Sequence, residues 1–531
     1  MKTISLDSVP GLNPFFIESA SSKVNVNPEL LKERAMKLGP GAGSIIEKTM
    51  RNISLNEKQQ QGLNQLLSGK AVAMITGQQP GFLGGPLYSL YKAMSCISLA
   101  ETYSTDELSI VPIFWIEDND HDGVEAGTAS LIDQSSAVHS VQCDEIALLQ
   151  THTPISERTF SSEISSVIES ISQYLPNSEY GLQIIQEINT LYQSEKKWSD
   201  SFLEYMQERC GEFGLLFFSS SIARKEGFFK ERISHEISNS GELQQLVLET
   251  NQSLMKKGMK IQAEAGIINA FYHDDSARHK IDLDETGNVK LGEGILSKDE
   301  CINLLQSHPE KFSPSVLLRP LIQDSIIPTI GMIVGPGEFG YMSQLKQAYS
   351  ALNISMPQLH GRHSVTILIP SISKFLSKHQ LEPNFFMRIM NEIEQDLSAR
   401  FAHDAATDAL VDELRSSVQH SLRNISEHAA TIDLSLQGAV SATEHGIEKL
   451  IEGMQKKMVS SLKKKQDVLF GKAHEAHAWI YPQNHLQERF LSSITLEARV
   501  GKEMFRDILI VIKNASRDMH ILIDVNEMKS F

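Results

Sequence analysis

The sequence predicts a doubly wound α/β core, and three observations carry that prediction. An apolar run of strand length at 71–75 empties into Thr76-Gly77-Gln78-Gln79-Pro80-Gly81-Phe82-Leu83-Gly84-Gly85-Pro86-Leu87-Tyr88, and apolar residues at helical spacing then continue to Tyr103. A second unit of the same kind begins near Pro328, with a short strand at 329–334 and the tight loop Gly335-Pro336-Gly337-Glu338. A helix over 339–352 and a β-rich run at 364–369 follow it. A long insertion separates the two units, as in sheets wound in two halves around a nucleotide site. Two unrelated α/β modules would leave the same pattern.

The elements follow in order. At 531 residues the chain suits two to four domains of about 150 residues each. Residues 1–70 read as a helical N-terminal segment, clearest at 28–36 and 59–67. The first half of the core covers 71–144, and its second strand, 108–116, is rich in Ile, Val, Phe and Trp. Residues 145–317 read as a connecting insertion, mostly helical to 262 and interrupted by a buried strand at 214–218. The second half of the core covers 318–375. Between Pro383 and Pro482 there is no proline, and helix formers dominate. There Leu436, Val440, Ile447, Leu450 and Met454, with Thr443 in the seam, form a heptad-like stripe; Val411, Leu414, Val418, Leu422 and Ile425 form an earlier one. Two antiparallel helices within 376–481 would make a coiled-coil arm, used as a scaffold or dimer contact, and 482–531 would return to the core.

Composition narrows the function. A net charge of −17 argues against nucleic acid, which needs a basic face to displace counterions. The Lys456-Lys457 pair and the run Lys463-Lys464-Lys465 read as a solvated helix face. Cys96, Cys143, Cys210 and Cys301 are scattered, so neither a zinc site nor a disulfide framework is expected. No signal peptide and no membrane span are expected, and the location expected is the cytoplasm.

The first glycine loop places backbone N–H groups and the positive end of a helix at one spot. Thr76, Gly77, Gln78, Gln79, Gly84, Gly85 and Tyr88 are therefore candidates for holding an anion or nucleotide, the alternative being a structural crossover. The second strand ends in Glu117-Asp118-Asn119-Asp120-His121-Asp122, at the sheet edge where ligands bind in open α/β folds. His121 between Asp120 and Asp122 would be a stabilised imidazolium, suited to proton transfer or to binding an amine. The same run would suit a hard cation, or a plain acidic loop with helix caps. Arg319, close to Gln323, and Arg362 are forks for a carboxylate or phosphate, or else structural ion pairs. Gly335, Gly337 and Glu338 form the second loop, in which Glu338 is placed to cap a helix. Gln487 and Arg489 are polar groups that would dock the arm onto the core. No P-loop, zinc-protease, serine-hydrolase or kinase signature occurs.

The ordered set resembles the bacillithiol biosynthesis cysteine-adding enzymes, a family of cysteine ligases. The matching pieces are Thr76 to Gly81, Gly84 to Tyr88, Asp120-His121-Asp122, Arg319-Pro320-Leu321, Gln323-Asp324, Gly335 to Glu338, Met356-Pro357, Arg362 and Leu486-Gln487-Glu488-Arg489. Asp118-Asn119 stands where the family usually has Gly-Glu, and the signature motifs of related adenylating ligases are absent. The resemblance implies a Rossmann-like core related to class I nucleotidyltransferases, with helical insertions and a C-terminal antiparallel coiled-coil arm through which two copies pair. It implies that L-cysteine is joined to the amine of glucosaminyl-malate. ATP or ADP is the nucleotide implied, with no metal expected. Asp120, His121 and Asp122 would act on the incoming amine, and the glycine loops, Tyr88, Glu338, Arg362 and Arg489 would line the same crevice.

Overall fold

The computed structural model describes residues 2–12, 16–17, 28–149, 153–274, 277–400 and 405–528. Five strands form one wholly parallel sheet: β1 (Ala71–Gln78), β2 (Ser109–Ile116), β3 (Leu216–Ser219), β4 (Thr329–Val334) and β5 (Gln358–Gly361). Their spatial order is β5-β4-β1-β2-β3. The winding therefore reverses between β1 and β4, and a doubly wound sheet opens its ligand crevice at that point. β1 pairs with β2 in unbroken register from Ala71↔Ser109 to Gln78↔Ile116, while its pairing with β4 shifts between Thr329 and Gly331. The first seven residues of β1 are buried, as expected of a central parallel strand covered on both faces.

The helix α1 (Pro28–Thr49) runs well past the expected 28–36, straight through Gly39-Pro40-Gly41. The glycines there serve contact rather than termination. A Cβ on Gly39 would stand 2.7 Å from the Leu66 carbonyl oxygen, and one on Gly43 would stand 2.9 Å from the Leu67 side chain. Glycine thus lets the next helix, Glu57–Leu67, approach the α1 backbone closely. Leu31 and Ala35 of α1 share a core with Val72, Met74, Ile110 and Ile333 of the sheet and with Cys96 and Leu99 of α2 (Tyr88–Tyr103).

Several expectations need correction. The run at 364–369 forms a strand, Ser364–Leu368, but outside the main sheet. It pairs in parallel with Met519–Asp524, which pairs antiparallel with Lys2–Ser5. The fifth core strand, β5, escaped notice because Gln358-Leu359-His360-Gly361 carries a single aliphatic side chain. The strand inside the insertion is β3, an edge strand of the core sheet. Beyond its helical stretch the insertion carries short antiparallel strands at Ala270–His273, Arg278–Lys280 and Phe312–Pro314, and also at Asp282–Leu283, Val289–Leu291 and Gly294–Leu296. After α3 (Leu318–Ile326), the single helix expected at 339–352 is two, α4 (Pro336–Gln344) and Lys346–Ala351.

The chain divides into two units, Met1–Pro370 with His485–Phe531, and Ser371–Asn484. In the second, α5 (Ala405–Ile432) and α6 (Leu436–Ile480) form an antiparallel hairpin. Arg415 crosses it, reaching Glu448 at 2.7 Å and Gln455 at 3.1 Å. The hairpin buries Val411, Leu422, Ala429 and Ile451, but leaves Leu414, Ile425, Leu450 and Met454 of the expected stripes exposed. The earlier stripe therefore splits between the seam and an outer face, whereas no member of the later one is buried and the neighbouring Ile451 fills the seam instead. Among the described residues no helix is long and apolar enough to cross a membrane.

Candidate active site

The loops leaving β1, β2 and β4 open onto one cavity of about 440 Å³, a size that suits a small-molecule ligand. At its base lies Lys92 of α2, with a side chain only 2% exposed. Its ammonium donates to Glu338 Oε2 at 2.6 Å, to the Gly77 carbonyl oxygen, and to Gln78 Oε1 at 3.1 Å. One lysine thus ties the loop after β1 to the loop after β4 across the reversal of the sheet. Burial pushes the Lys92 ammonium below its ordinary value, against the pull of Glu338. Glu338 also accepts the Gly335 N–H at 2.9 Å, so it does cap α4.

Arg319 of α3 enters from one side, donating to Gln323 Oε1 at 3.1 Å and to the Tyr341 hydroxyl at 2.9 Å. Its Nε stands 3.8 Å from Glu117 Oε2, which also accepts the Trp115 indole N–H at 2.9 Å. Burial raises the Glu117 carboxyl, while Arg319 and Trp115 hold it down. Arg362 sits 5.7 Å from the Tyr88 ring centroid. Its Nη2 is paired at 2.7 Å with fully buried Glu488, so the ion-pair reading holds for a residue that also lines the cavity. Arg489 lines it too, exposed and with no ion pair among the described residues.

Gly77, Gln78, Gln79, Tyr88, Asp120, Arg319, Gly335, Gly337, Glu338, Arg362 and Arg489 all face this cavity. Thr76, Gly84, Gly85, Gln323, His121 and Asp122 do not. The Thr76 hydroxyl instead bonds across the sheet to the Ile333 carbonyl at 3.1 Å. Gly84 has φ +78° and lies against Tyr205, where a Cβ would come within 2.3 Å of the ring. That end of the first loop is a structural crossover, whereas its start lines the cavity. Gln323 orients Arg319 from behind.

The acidic run is dispersed rather than pooled. Asp118 is buried and spends its oxygens on the Ser219, Ser220 and Ser221 hydroxyls and the Ser221 N–H. Asp122 caps the short helix Gly123–Ala126, accepting the Glu125 N–H at 3.1 Å. Arg278 lies 3.3 Å from Asp120 Oδ1 and 3.1 Å from His121 Nδ1. His121 Nδ1 also stands 3.4 Å from Asp120 Oδ1, so the pair expected from the sequence forms, with Arg278 beside both partners. No three His, Cys, Asp or Glu side chains among the described residues converge as a metal site.

Lys92, Trp115, Glu125 and Tyr341 line the cavity without belonging to any motif of the sequence, and Glu117 belongs only to the acidic run. Lys92 had a signal: it interrupts a stretch whose neighbours, Ser89 to Ala100, are all buried, and lysine is rarely buried without a partner.

Two family descriptions match the chain. "Bacillithiol biosynthesis BshC, N-terminal Rossmann-like domain" covers residues 6–363, and "Bacillithiol biosynthesis BshC, C-terminal coiled-coil domain" covers 365–524. Relatives bearing the name "Putative cysteine ligase BshC" include one from Chlorobium phaeobacteroides, 26% identical over 90% of this chain and 87% of the relative. One from Salinibacter ruber is 27% identical over 82% of this chain and 80% of its own. One from Chlorobaculum tepidum is 27% identical over 88% and 86% respectively.

Proposed function

The chain belongs to the bacillithiol biosynthesis BshC family, and from that premise we propose that it is a cytoplasmic ligase joining the carboxyl of L-cysteine to the amine of glucosaminyl-malate. The observation that carries the reading is the placement of mixed charge at the sheet's reversal point. Cations Arg319, Arg362 and Arg489 and carboxylates Glu117, Asp120 and Glu125 line one cavity. Such a site suits two substrates that each bear an anion and an amine.

ATP, bound there, would supply the phosphoryl or adenylyl group that activates the cysteine carboxyl. The residues fit a phosphate group: a Cβ on Gly337 would meet nothing within 4 Å, so the start of α4 is open to a ligand. Arg489, without an ion pair among the described residues, stands on the same wall. Lys92 and Glu338 hold the two glycine loops at a fixed spacing. Arg319, braced by Gln323 and Tyr341, would anchor a substrate carboxylate, and Asp120 would attract the ammonium of the amine substrate. His121 and Asp122 would support the Asp120 loop rather than touch substrate.

The exposed apolar residues Leu414, Ile425, Leu450 and Met454 support pairing of two copies through the hairpin. Sedimentation equilibrium tests that part, and a monomer at micromolar concentration would end it. For the activity, the protein is incubated with cysteine, glucosaminyl-malate and ATP and the products are read by mass spectrometry. The expected product is the malate glycoside carrying one added cysteinyl residue, with AMP or ADP released. Nucleotide binding without product would refute the ligase reading for the isolated chain.

A further inference from the structure

Four carboxylates line the crevice, and three of them are otherwise engaged or placed at its edge. Glu338 is held by Lys92 and by the Gly335 N–H. Asp120 faces Arg278 at 3.3 Å and accepts the His121 N–H at 2.8 Å. Glu125 is exposed at the rim. Glu117 differs from all three.

Its Oε2 accepts the Trp115 indole N–H at 2.9 Å, and its Oε1 lies 3.2 Å from the Ser220 hydroxyl, whose single proton is shared with Asp118 Oδ1 at 3.0 Å. The indole and the hydroxyl flank different oxygens and so orient the carboxylate. Arg319 stays at 3.8 Å, with two of its nitrogens committed to Gln323 and Tyr341. A remaining 22% of the Glu117 side chain opens to the cavity. The charged and titratable groups that face it are Arg319 and Tyr341 from α3 and α4, Asp118 and Asp120 from its own loop, and Arg224 and Arg278 from the insertion. Burial raises its carboxyl, which moves a carboxylate toward the range useful for proton transfer near neutral pH.

We propose that Glu117 is the general base that takes the proton from the attacking amine. The proposal rests on the ligase reading above. The amine substrate arrives as an ammonium, and one proton passes to a Glu117 oxygen. The freed nitrogen lone pair then attacks the carbonyl carbon of a cysteinyl mixed anhydride with phosphate or AMP. The C–N bond forms and the C–O bond to the phosphate side breaks, its electron pair leaving on the phosphate. The second nitrogen proton leaves with that phosphate or to water, and the Glu117 proton returns to solvent at the end of the turnover.

The test uses the full-length Glu117→Gln variant, which keeps the shape and both hydrogen-bond acceptor positions save one. Wild type and variant are each given cysteine and ATP with either glucosaminyl-malate or hydroxylamine, a nucleophile already unprotonated at neutral pH. Expected is a loss of amide formation of about 100-fold or more, the range for a positioned base, with cysteinyl hydroxamate formed within about twofold of wild type. Amide formation at the wild-type rate would overturn the proposal. So would loss of hydroxamate together with amide in a variant of unchanged melting temperature, because Glu117 would then serve binding or activation. If wild type forms neither product, the ligase reading falls and the base falls with it. A second variant, Trp115→Phe, removes one donor to the ionised carboxylate. The acid limb of kcat/KM should then move to higher pH, and an unmoved limb would also overturn the proposal.

Discussion

Removing Glu338 should cost the fold more than removing its partner Lys92. In Glu338→Ala, the Lys92 ammonium stays buried at 2% exposure with only the Gly77 carbonyl and Gln78 Oε1 as acceptors. Stranding one member of a buried pair costs about 3–5 kcal/mol. Lys92→Met strands a carboxylate that is 20% exposed and still accepts the Gly335 N–H at the start of α4. What it loses is chiefly a partner for the Gly77 oxygen, worth about 1–3 kcal/mol. The double variant should then resemble Lys92→Met alone, so that the coupling equals the Glu338→Ala cost of about 3–5 kcal/mol. The pH dependence has a definite sign. Burial first, opposed by Glu338, lowers the Lys92 pKa in the fold. Between that lowered value and about 10.4 the unfolded chain holds the proton and the native one does not, so stability rises with pH there. Glu338→Ala removes the opposing pull, so this window extends to lower pH and the variant should recover stability as pH rises above neutrality. Urea unfolding followed by tryptophan fluorescence measures both effects. A Lys92→Met variant as unstable as Glu338→Ala, or a coupling near zero, would refute the account.

Other outcomes follow from the same geometry. Gly337→Ala should leave the melting temperature unchanged or slightly higher while weakening ATP or ADP binding by calorimetry, because its Cβ would project into open space at the crevice. Gly84→Ala should instead destabilise by about 2–4 kcal/mol, from a positive φ and overpacking against Tyr205, as read by thermal melting. Burial pushes His360 down to about 3, and His363 and His520 down to about 4. The unfolded chain therefore binds protons that the native one refuses below about pH 6.5, and stability should fall with pH by up to about 1.4 kcal/mol per unit for each histidine. A His520→Gln variant should show a shallower slope between pH 6.5 and 4 in urea titrations. All four cysteines are buried, with Cys210 and Cys301 pushed up to about 12. A thiol reagent at pH 8 should find none in the native protein and all four after denaturation.

Much of the core was legible because hydrophobic strands and glycine loops act locally. The runs at β1, β2 and β4 announce themselves by apolar content, and the loops at Gly77 and Gly335 by the strand and helix on either side. β5 was illegible because its burial comes from neighbours rather than from its own side chains. The sheet to which Ser364–Leu368 belongs was illegible for another reason: it joins residues near both ends of the chain, and no local pattern encodes that pairing. The site divides in the same way. Arg319, Arg362, Glu338 and Arg489 are chemically conspicuous, and all reach the cavity. His121 was conspicuous too, but its neighbour Arg278 comes from more than 150 positions away and has no local signal. The arm's apolar stripes fixed helix and hairpin but not which residues meet, because register is decided between helices rather than within one.

Gln487 clasps the strand Ser364–Leu368 as a further strand would, accepting the Ile367 N–H at 2.8 Å and donating to its carbonyl at 3.0 Å. Beside it, Glu488 takes the Val365 N–H, the Ser364 hydroxyl and Arg362. The chain thus leaves the first unit just after this strand and rejoins it next to the same strand, with exit and re-entry riveted together. The intervening hairpin is a detour that begins and ends at one doorway. Changing its length should therefore leave Gln487 and Glu488 in place on this strand. The doorway itself has no such freedom, since the turn that closes it also sets Arg362 and Arg489 on the crevice wall.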